Sequence, residues 1–378
     1  MLSLTRSHGL PMRSASPKRR RRARLLWLTV ALGVVTSVAG AQERSDSIVE
    51  SSHSVLRLGD KSIRVFLGRT TEAPVVREAS FGNANWSGRR YRGSIDYVPD
   101  GDGMAVINRL DLEDYLRGVL PGEIGSRDPR DRAALQAQAV AARSYAAARM
   151  GERRGVYDVT ATVSDQVYGG INVEKPETDD AVRATRGLVL TWGDRIITAP
   201  YHSHGGPMTA AADEVFWKRG SEPYLRPVDD RSPNGGCYCD ASGMRGWERR
   251  FTRDDIRVLL AQYGHDAGVS TTGEVRAVSI VSRGPSGRVT ILAIETGSGR
   301  VTLQGNDIRF VLRTNGAILP STNFSLEFTG DVLLLRGVGN GHGVGMSQWG
   351  AIGRARAGQD ARSILAAYYP GTRLSPLL

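Results

Sequence analysis

Between Gly339 and Ala351 the chain reads Gly-Asn-Gly-His-Gly-Val-Gly-Met-Ser-Gln-Trp-Gly-Ala, five glycines in thirteen residues. Glycine reaches positive φ without a steric penalty and lets backbone approach a neighbour or a ligand closely. A run this dense, carrying His342 beside Ser347, Gln348 and Trp349, is more than a linker. Its plainer reading is a glycine-rich turn into a helix near 351–357. It is not a dinucleotide fingerprint, because no strand, crossover helix and following acidic residue frame it.

The first forty-one residues bear on compartment. Lys18, Arg19, Arg20, Arg21, Arg22 and Arg24 precede the apolar run Leu25 to Val38, and Ala39-Gly40-Ala41 offers a small-x-small cleavage site. That order predicts a secretory signal peptide over 1–41, since the apolar run is short for a membrane span. Retention as an uncleaved anchor is the alternative. No cysteine lies near the cut, which argues against a lipoprotein anchor there. Residues 1–41 hold eight Lys/Arg and no Asp/Glu, so the +11 of the whole chain falls to +3 without them. The basic character belongs to the leader, and nucleic acid is not an expected partner. The expected location is the periplasm, the cell wall or the exterior, with no stable membrane span after cleavage.

Residues 42–53 form a polar lead-in, and 54–378 is the expected folded domain. Short alternating runs such as Ser62 to Leu67 and Met104 to Ile107 read as strands between Gly, Asp and Pro turns. A helix is expected from Pro129 to Arg149, capped by Asp128, with Ala134, Leu135, Gln138, Ala141, Ala142 and Tyr145 at helical spacing. Its narrow alanine face implies close packing. Strands are expected near 187–197 and 275–303, and helices over 254–263 and 361–369, the last stopped by Pro370-Gly371. The pattern predicts an α+β fold, mixed strands with a few single helices around a substrate groove, rather than a regular βαβ array.

Three further segments carry chemistry. Glu123 follows the apolar step Val119-Leu120-Pro121 and a glycine. A carboxylate at the end of an apolar segment can be desolvated, which raises its pKa and keeps the proton a general acid needs; the bland alternative is a solvated loop Glu. Asp111, Glu113 and Asp114, close by, read as a solvated charge cluster. Asp165-Gln166-Val167-Tyr168-Gly169-Gly170 supplies an amide, a phenol and a glycine pair suited to a polyhydroxyl ligand, or simply a turn. Tyr201-His202-Ser203-His204 is followed by Cys237-Tyr238-Cys239, the only two cysteines of the chain. Cysteines one residue apart would close a very small disulfide ring. His202, His204, Cys237 and Cys239 together offer four N/S ligands, the complement of a closed, structural zinc site. Three-ligand use with His202 free for catalysis, free thiols and an intermolecular disulfide are the competing readings.

The ordered set Tyr115 to Glu123, Ala134 to Tyr145, Asp165 to Gly170, Thr185-Arg186-Gly187, Tyr201-His202-Ser203 with Gly205-Gly206, Pro223-Tyr224-Leu225, Gly341 to Ala351 and Tyr368 to Thr372 resembles the SpoIID/LytB family of bacterial cell-wall proteins. The resemblance runs from about 85 to 375. It implies a peptidoglycan lytic transglycosylase acting on glycan strands stripped of stem peptides. Glu123 would be the single acid/base, and Gln166, Tyr168, Tyr201, His202, His342, Ser347 and Gln348 would bind substrate. One glutamate suffices because the sugar's own 6-hydroxyl attacks C1, unlike the two-carboxylate arrangement of ordinary glycosidases. The family also implies the alternative, a non-catalytic wall-binding enhancer of a separate amidase. That the chain is itself a zinc amidase is weaker, since two thiolates would crowd out a catalytic water. Two positions depart from the family: His204 stands where relatives often have cysteine, and Gly122 where they often have serine.

Overall fold

The alanine-rich segment becomes the axis of a first hydrophobic core. A computed structural model describes residues 62–71, 83–152, 155–244, 246–270 and 273–377; the expected leader 1–41 and lead-in 42–53 lie outside them. Helix α1 (Leu112–Glu123) starts where the Asp111 carboxylate accepts the Glu113 N–H at 2.8 Å. Pro121 falls in its last turn, and Ile124 still donates to the Leu120 carbonyl at 3.0 Å. Glu123 is therefore the final residue of a helix, not a loop residue. A 3₁₀ turn at Pro129–Asp131, capped by Asp128, leads into α2 (Arg132–Glu152). The expected helix is present, and Ala134, Ala137, Ala139, Ala141, Ala142 and Ala146 are fully buried along it. Methyl-sized side chains let neighbours close on α2 from several sides, with little apolar area contributed by each residue.

Around α2 lies a four-stranded sheet in the order Ser94–Asp100, Gly103–Asp111, Ser62–Thr70, Val159–Thr160, the last pair parallel and the others antiparallel. Helix α3 (Pro176–Ala184) and the antiparallel strands Leu188–Trp192 and Arg373–Pro376 complete the first core. Arg143 of α2 is fully buried. Its guanidinium forms a fork with Glu113 at 2.7 and 2.8 Å and also donates to the Leu188 and Val182 carbonyls. One side chain thus ties α1, α2, the end of α3 and a strand together. Of the expected solvated charge cluster, Glu113 is the departure, paired with the buried Arg143, whereas Asp111 is exposed and caps α1 and the half-exposed Asp114 lies near Arg92 and Arg117.

After a short α4 (Ala212–Val215) the chain builds a second core. It consists of α5 (Arg253–Tyr263), α6 (Asp307–Val311) and two antiparallel three-stranded sheets. One has Val332–Gly337 between Trp247–Thr252 and Phe324–Thr329. The other has Val289–Thr296 between Val275–Arg283 and Gly299–Gln304. The β-branched run expected at 275–303 is this second sheet. The glycine run then returns the chain to the first core through α7 (Gln348–Arg356) and α8 (Ala361–Tyr368), the latter capped by Asp360 and ending before Pro370-Gly371. Helices and small mixed sheets make this an α+β fold, as the sequence predicts. Among the described residues no helix is long and apolar enough to cross a membrane.

Candidate functional site

A cleft of about 1190 Å³ is lined from both cores, by Glu123, Tyr145, Tyr201 and Gln348 on one side and by Trp247, Arg309 and Phe310 on the other. Glu123 enters it from the end of α1. Its Oε1 accepts the Val167 N–H at 2.6 Å, and the Gln348 side chain hydrogen-bonds it as well. Burial raises the carboxyl to about 7; the two hydrogen bonds favour the anion but do not outweigh desolvation. A carboxyl poised there can give a proton and take one back at neutral pH.

The turn that presents Val167 is held by Asp165. Its carboxylate accepts from the Thr160 N–H at 2.9 Å, the Thr160 hydroxyl at 3.0 Å and the Tyr145 hydroxyl at 2.9 Å. Arg149 donates in turn to the Tyr145 hydroxyl at 3.0 Å. Asp165, Tyr145 and Arg149 all line the cleft, though the motif reading passed over them as site residues. Their signal was present: Tyr145 closes the alanine-helix pattern, and Asp165 directly precedes Gln166.

Two expected groove residues sit behind the surface. Gln166 is fully buried; its amide donates to the Tyr201 hydroxyl at 2.9 Å, and its oxygen accepts from the Tyr115 hydroxyl at 3.1 Å. It positions Tyr201, which does line the cleft. Tyr168 is a core residue, a correction to its expected role. Its hydroxyl donates to Asn108 at 2.8 Å, and its ring packs on those of Tyr91 and Tyr115.

The glycine run proves to be a backing for the Tyr201–Gly206 segment. Met346–Ser347 pairs in parallel with Tyr201–His202, and His204 and Asn340 exchange backbone hydrogen bonds at 2.8 Å. Gly339, Gly341, Gly343 and Gly345 all have positive φ, between 69° and 110°. A Cβ on Gly341 would lie 2.7 Å from that of His202, and one on Gly345 would collide with the Pro200 carbonyl. Every second residue must therefore be glycine.

His342 lines the cleft, but both its nitrogens are spent on backbone. Nδ1 accepts the Val344 N–H at 3.1 Å, which leaves Nε2–H to donate to the Tyr201 carbonyl at 2.9 Å. Burial first, then the nearby Arg309, lowers its pKa to about 3, so the ring stays neutral. His202 donates through Nδ1 to the Val344 carbonyl at 3.1 Å and is likewise held well below its ordinary value, mainly by burial. Neither ring can act as an acid at neutral pH. Ser347 caps α7, its hydroxyl oxygen accepting from Gly350 at 3.1 Å and Gly205 at 3.2 Å, and it belongs to the scaffold. Gln348, the first residue of α7, is the residue of the run that hydrogen-bonds Glu123.

The expected four-ligand metal set is not assembled. Cys237 and Cys239 are joined to each other as a disulfide, which takes both sulfurs out of play as thiolate ligands. Among the described residues, the cluster of possible ligands there is Cys237, Cys239 and the exposed Asp240, without His202 or His204. Extended backbone at Cys237, followed by a 3₁₀ turn at Tyr238–Ser242, brings the two Cα atoms to 4.9 Å, within ordinary disulfide reach. That turn packs under α7. Arg354 lies 4.5 Å over the Tyr238 ring, and a Cβ on Gly353 would strike the Tyr238 carbonyl.

Comparison with known proteins places these features in context. The model of a family described as stage II sporulation protein (SpoIID) matches residues 100–192. A second, described as a domain of unknown function, matches residues 236–345, most of the second core and its return. An uncharacterised protein of Brachyspira hyodysenteriae is 32% identical over 287 residues, covering 75% of this chain and 72% of that protein. The stage II sporulation protein D of Bacillus subtilis is 28% identical over 287 residues, covering 71% and 76%. The amidase enhancer of Bacillus subtilis is 28% identical over 298 residues, covering 69% of this chain and 40% of the enhancer. The chain thus spans well under two thirds of the enhancer's length.

Proposed function

The chain belongs to the SpoIID/LytB family, with a cell-wall related role, and on that premise we propose that it is an exported lytic transglycosylase that cuts peptidoglycan glycan strands lacking stem peptides. The observation that carries this reading is Glu123, a carboxyl raised to about 7 at the edge of a large cleft and held by Val167 and Gln348. In the proposed reaction Glu123 protonates the glycosidic oxygen as the C1–O bond breaks. The resulting carboxylate then takes the proton from the sugar's 6-hydroxyl as that oxygen bonds to C1, leaving a 1,6-anhydro end. The proton returns to Glu123 and no water is consumed. Fixed hydrogen bonds keep the carboxylate oriented between the two steps, which is where positioning contributes most. His342, neutral and with both ring nitrogens on backbone groups, supports one acid/base rather than a mechanism assisted by that ring.

The test is incubation of the chain without residues 1–41 with amidase-treated peptidoglycan, reading 1,6-anhydro-muramic ends by mass spectrometry. Their formation, and their loss in Glu123→Gln, is the expected result. A second reading is favoured by the amidase enhancer relative: a wall-binding partner of a separate amidase. Under that reading no anhydro ends form, and both wild type and Glu123→Gln stimulate an added cell-wall amidase equally.

A further inference from the structure

Hydrophobic side chains exposed to solvent are ordinary when scattered and informative when gathered. The exposed Val163, Trp217, Met244 and Phe310 all line the cleft that holds Glu123. Two are aromatic: Trp217 is 41% exposed and Phe310 42%. They come from opposite ends of the fold's connection, Trp217 from the turn after α4 and Phe310 from α6 of the second core.

Their carriers are knit together. The Asn306 N–H donates to the Val215 carbonyl at 3.0 Å, and the Trp217 indole N–H donates to the Asp307 carboxylate at 3.2 Å. Gly305, at positive φ, passes so close to the Val215 carbonyl that a Cβ would collide with it. The Lys218 ammonium lies 5.0 Å from the Trp217 ring centroid. The indole is thereby held in place although much of it meets solvent. An aromatic surface fixed in advance and left wet gives up ordered water on binding without a further cost in side-chain entropy. Beside it, Asn306, Asp307 and Glu222 supply polar groups to the same cleft.

We propose that Trp217 and Phe310 form a stacking platform for the sugar rings of a β-linked N-acetylated amino-sugar chain, so that the cleft grips several rings of a strand besides the bond at Glu123. A pyranose ring has a face of C–H bonds that packs on an aromatic ring while its hydroxyl and acetamido groups point outward to polar partners. The cleft volume of about 1190 Å³ exceeds the ~300–1,000 Å³ of ordinary small-ligand pockets, as a multi-ring ligand requires. The proposal rests on the glycan reading given above.

The experiment uses Glu123→Gln as the non-cleaving parent and the N-acetylglucosamine hexamer as probe, with affinity read by calorimetry and by tryptophan fluorescence. The parent is expected to bind the hexamer. Trp217→Ala and Phe310→Ala should each weaken it by about tenfold or more while the melting temperature holds. Trp217→Phe should keep the affinity within about threefold but clearly diminish the ligand-induced fluorescence change, the remainder belonging to Trp247 of the same cleft. Unchanged affinity in folded Trp217→Ala and Phe310→Ala overturns the platform. A fluorescence change undiminished in Trp217→Phe overturns the contact, because the signal then belongs wholly to other tryptophans such as Trp247 of the same cleft, and serves as the deciding measurement if Trp217→Ala fails to fold. A parent that binds no hexamer at all overturns the glycan reading, and the platform falls with it.

Discussion

In the first core, α2 carries a fully buried Arg143 that reaches Glu113 and two carbonyls, and Asp131 and Asp230 are buried against Arg356 and Arg354. In the second, Phe251, Ile256, Leu292, Leu333 and Leu335 fill the interior, and pairs such as Arg336 with Glu248 and Glu327 lie at the surface. Both cores line the cleft. The first orients its elements through charge-assisted hydrogen bonds of fixed geometry, which suits a region that must aim a carboxyl. The second is filled mainly by non-directional apolar burial, with the buried Arg288 and Arg309 donating to the Gly205 and Leu319 carbonyls at its margin. A buried ion pair is weak evidence for stability in itself, but breaking one is expensive because the survivor is left uncompensated.

That contrast can be broken in several places. The largest expected effect is in the chemistry: Glu123→Gln should lower the yield of anhydro ends by about 10²–10⁴-fold, the usual contribution of a positioned acid/base. A variant with near wild-type yield would remove the first core's claim to the reaction. Next comes Arg143→Met, expected to lose about 3–5 kcal/mol in urea unfolding by stranding Glu113 and the carbonyls it serves. An unchanged midpoint would show that the fork contributes orientation alone.

The pH dependence is a third handle. With Glu123 at about 7, the rate should fall about tenfold per pH unit on the alkaline side, as the protonated acid is lost. Linkage has a definite sign here. The folded-state value lies above the ordinary 4.5, so the folded chain holds this proton more tightly than the unfolded one. This stabilisation is complete below about pH 4.5 and is lost as pH rises through about 7. Glu123→Gln should therefore gain stability relative to wild type across that interval; a difference independent of pH would contradict the raised value.

Two smaller effects complete the series. The Cys237–Cys239 disulfide closes so short a loop that the loop-entropy relation gives less than about 2 kcal/mol, so its reduction should read as a modest drop in melting temperature. A collapse of the fold on reduction would make that turn an essential support of α7. Arg336→Met, on the second core's solvent face, should leave the melting temperature unchanged. A clear drop would erase the distinction between the two regions.

Much of the first core was legible from residue order. Asp128-Pro129 and the alanine periodicity mark α2 because capping and helical spacing are local properties. Glu123 was legible as a carboxyl open to desolvation because an apolar step stands beside it, while the acid role proposed for it comes from the family resemblance. Tyr168 was misplaced for a physical reason: a tyrosine beside glycines suits a sugar or a core equally well, and only the partner of its hydroxyl, Asn108 sixty residues away, decides between them. Ser347 was misplaced likewise, because capping a helix and binding a hydroxylated ligand use the same oxygen. The cysteines were read as metal ligands on the argument that their ring would be too small, yet extended backbone at Cys237 and the turn behind it bring them together.

By itself, the sequence determined the fold class and the main helix, since each follows from propensity and local pattern. Tertiary structure alone decided that Glu113 pairs with Arg143, that His342 and His202 are locked neutral, and that Trp217 and Phe310 share a cleft with Glu123. Those outcomes depend on burial and on partners distant in the chain, and desolvation and long-range contact have no period for a sequence to display.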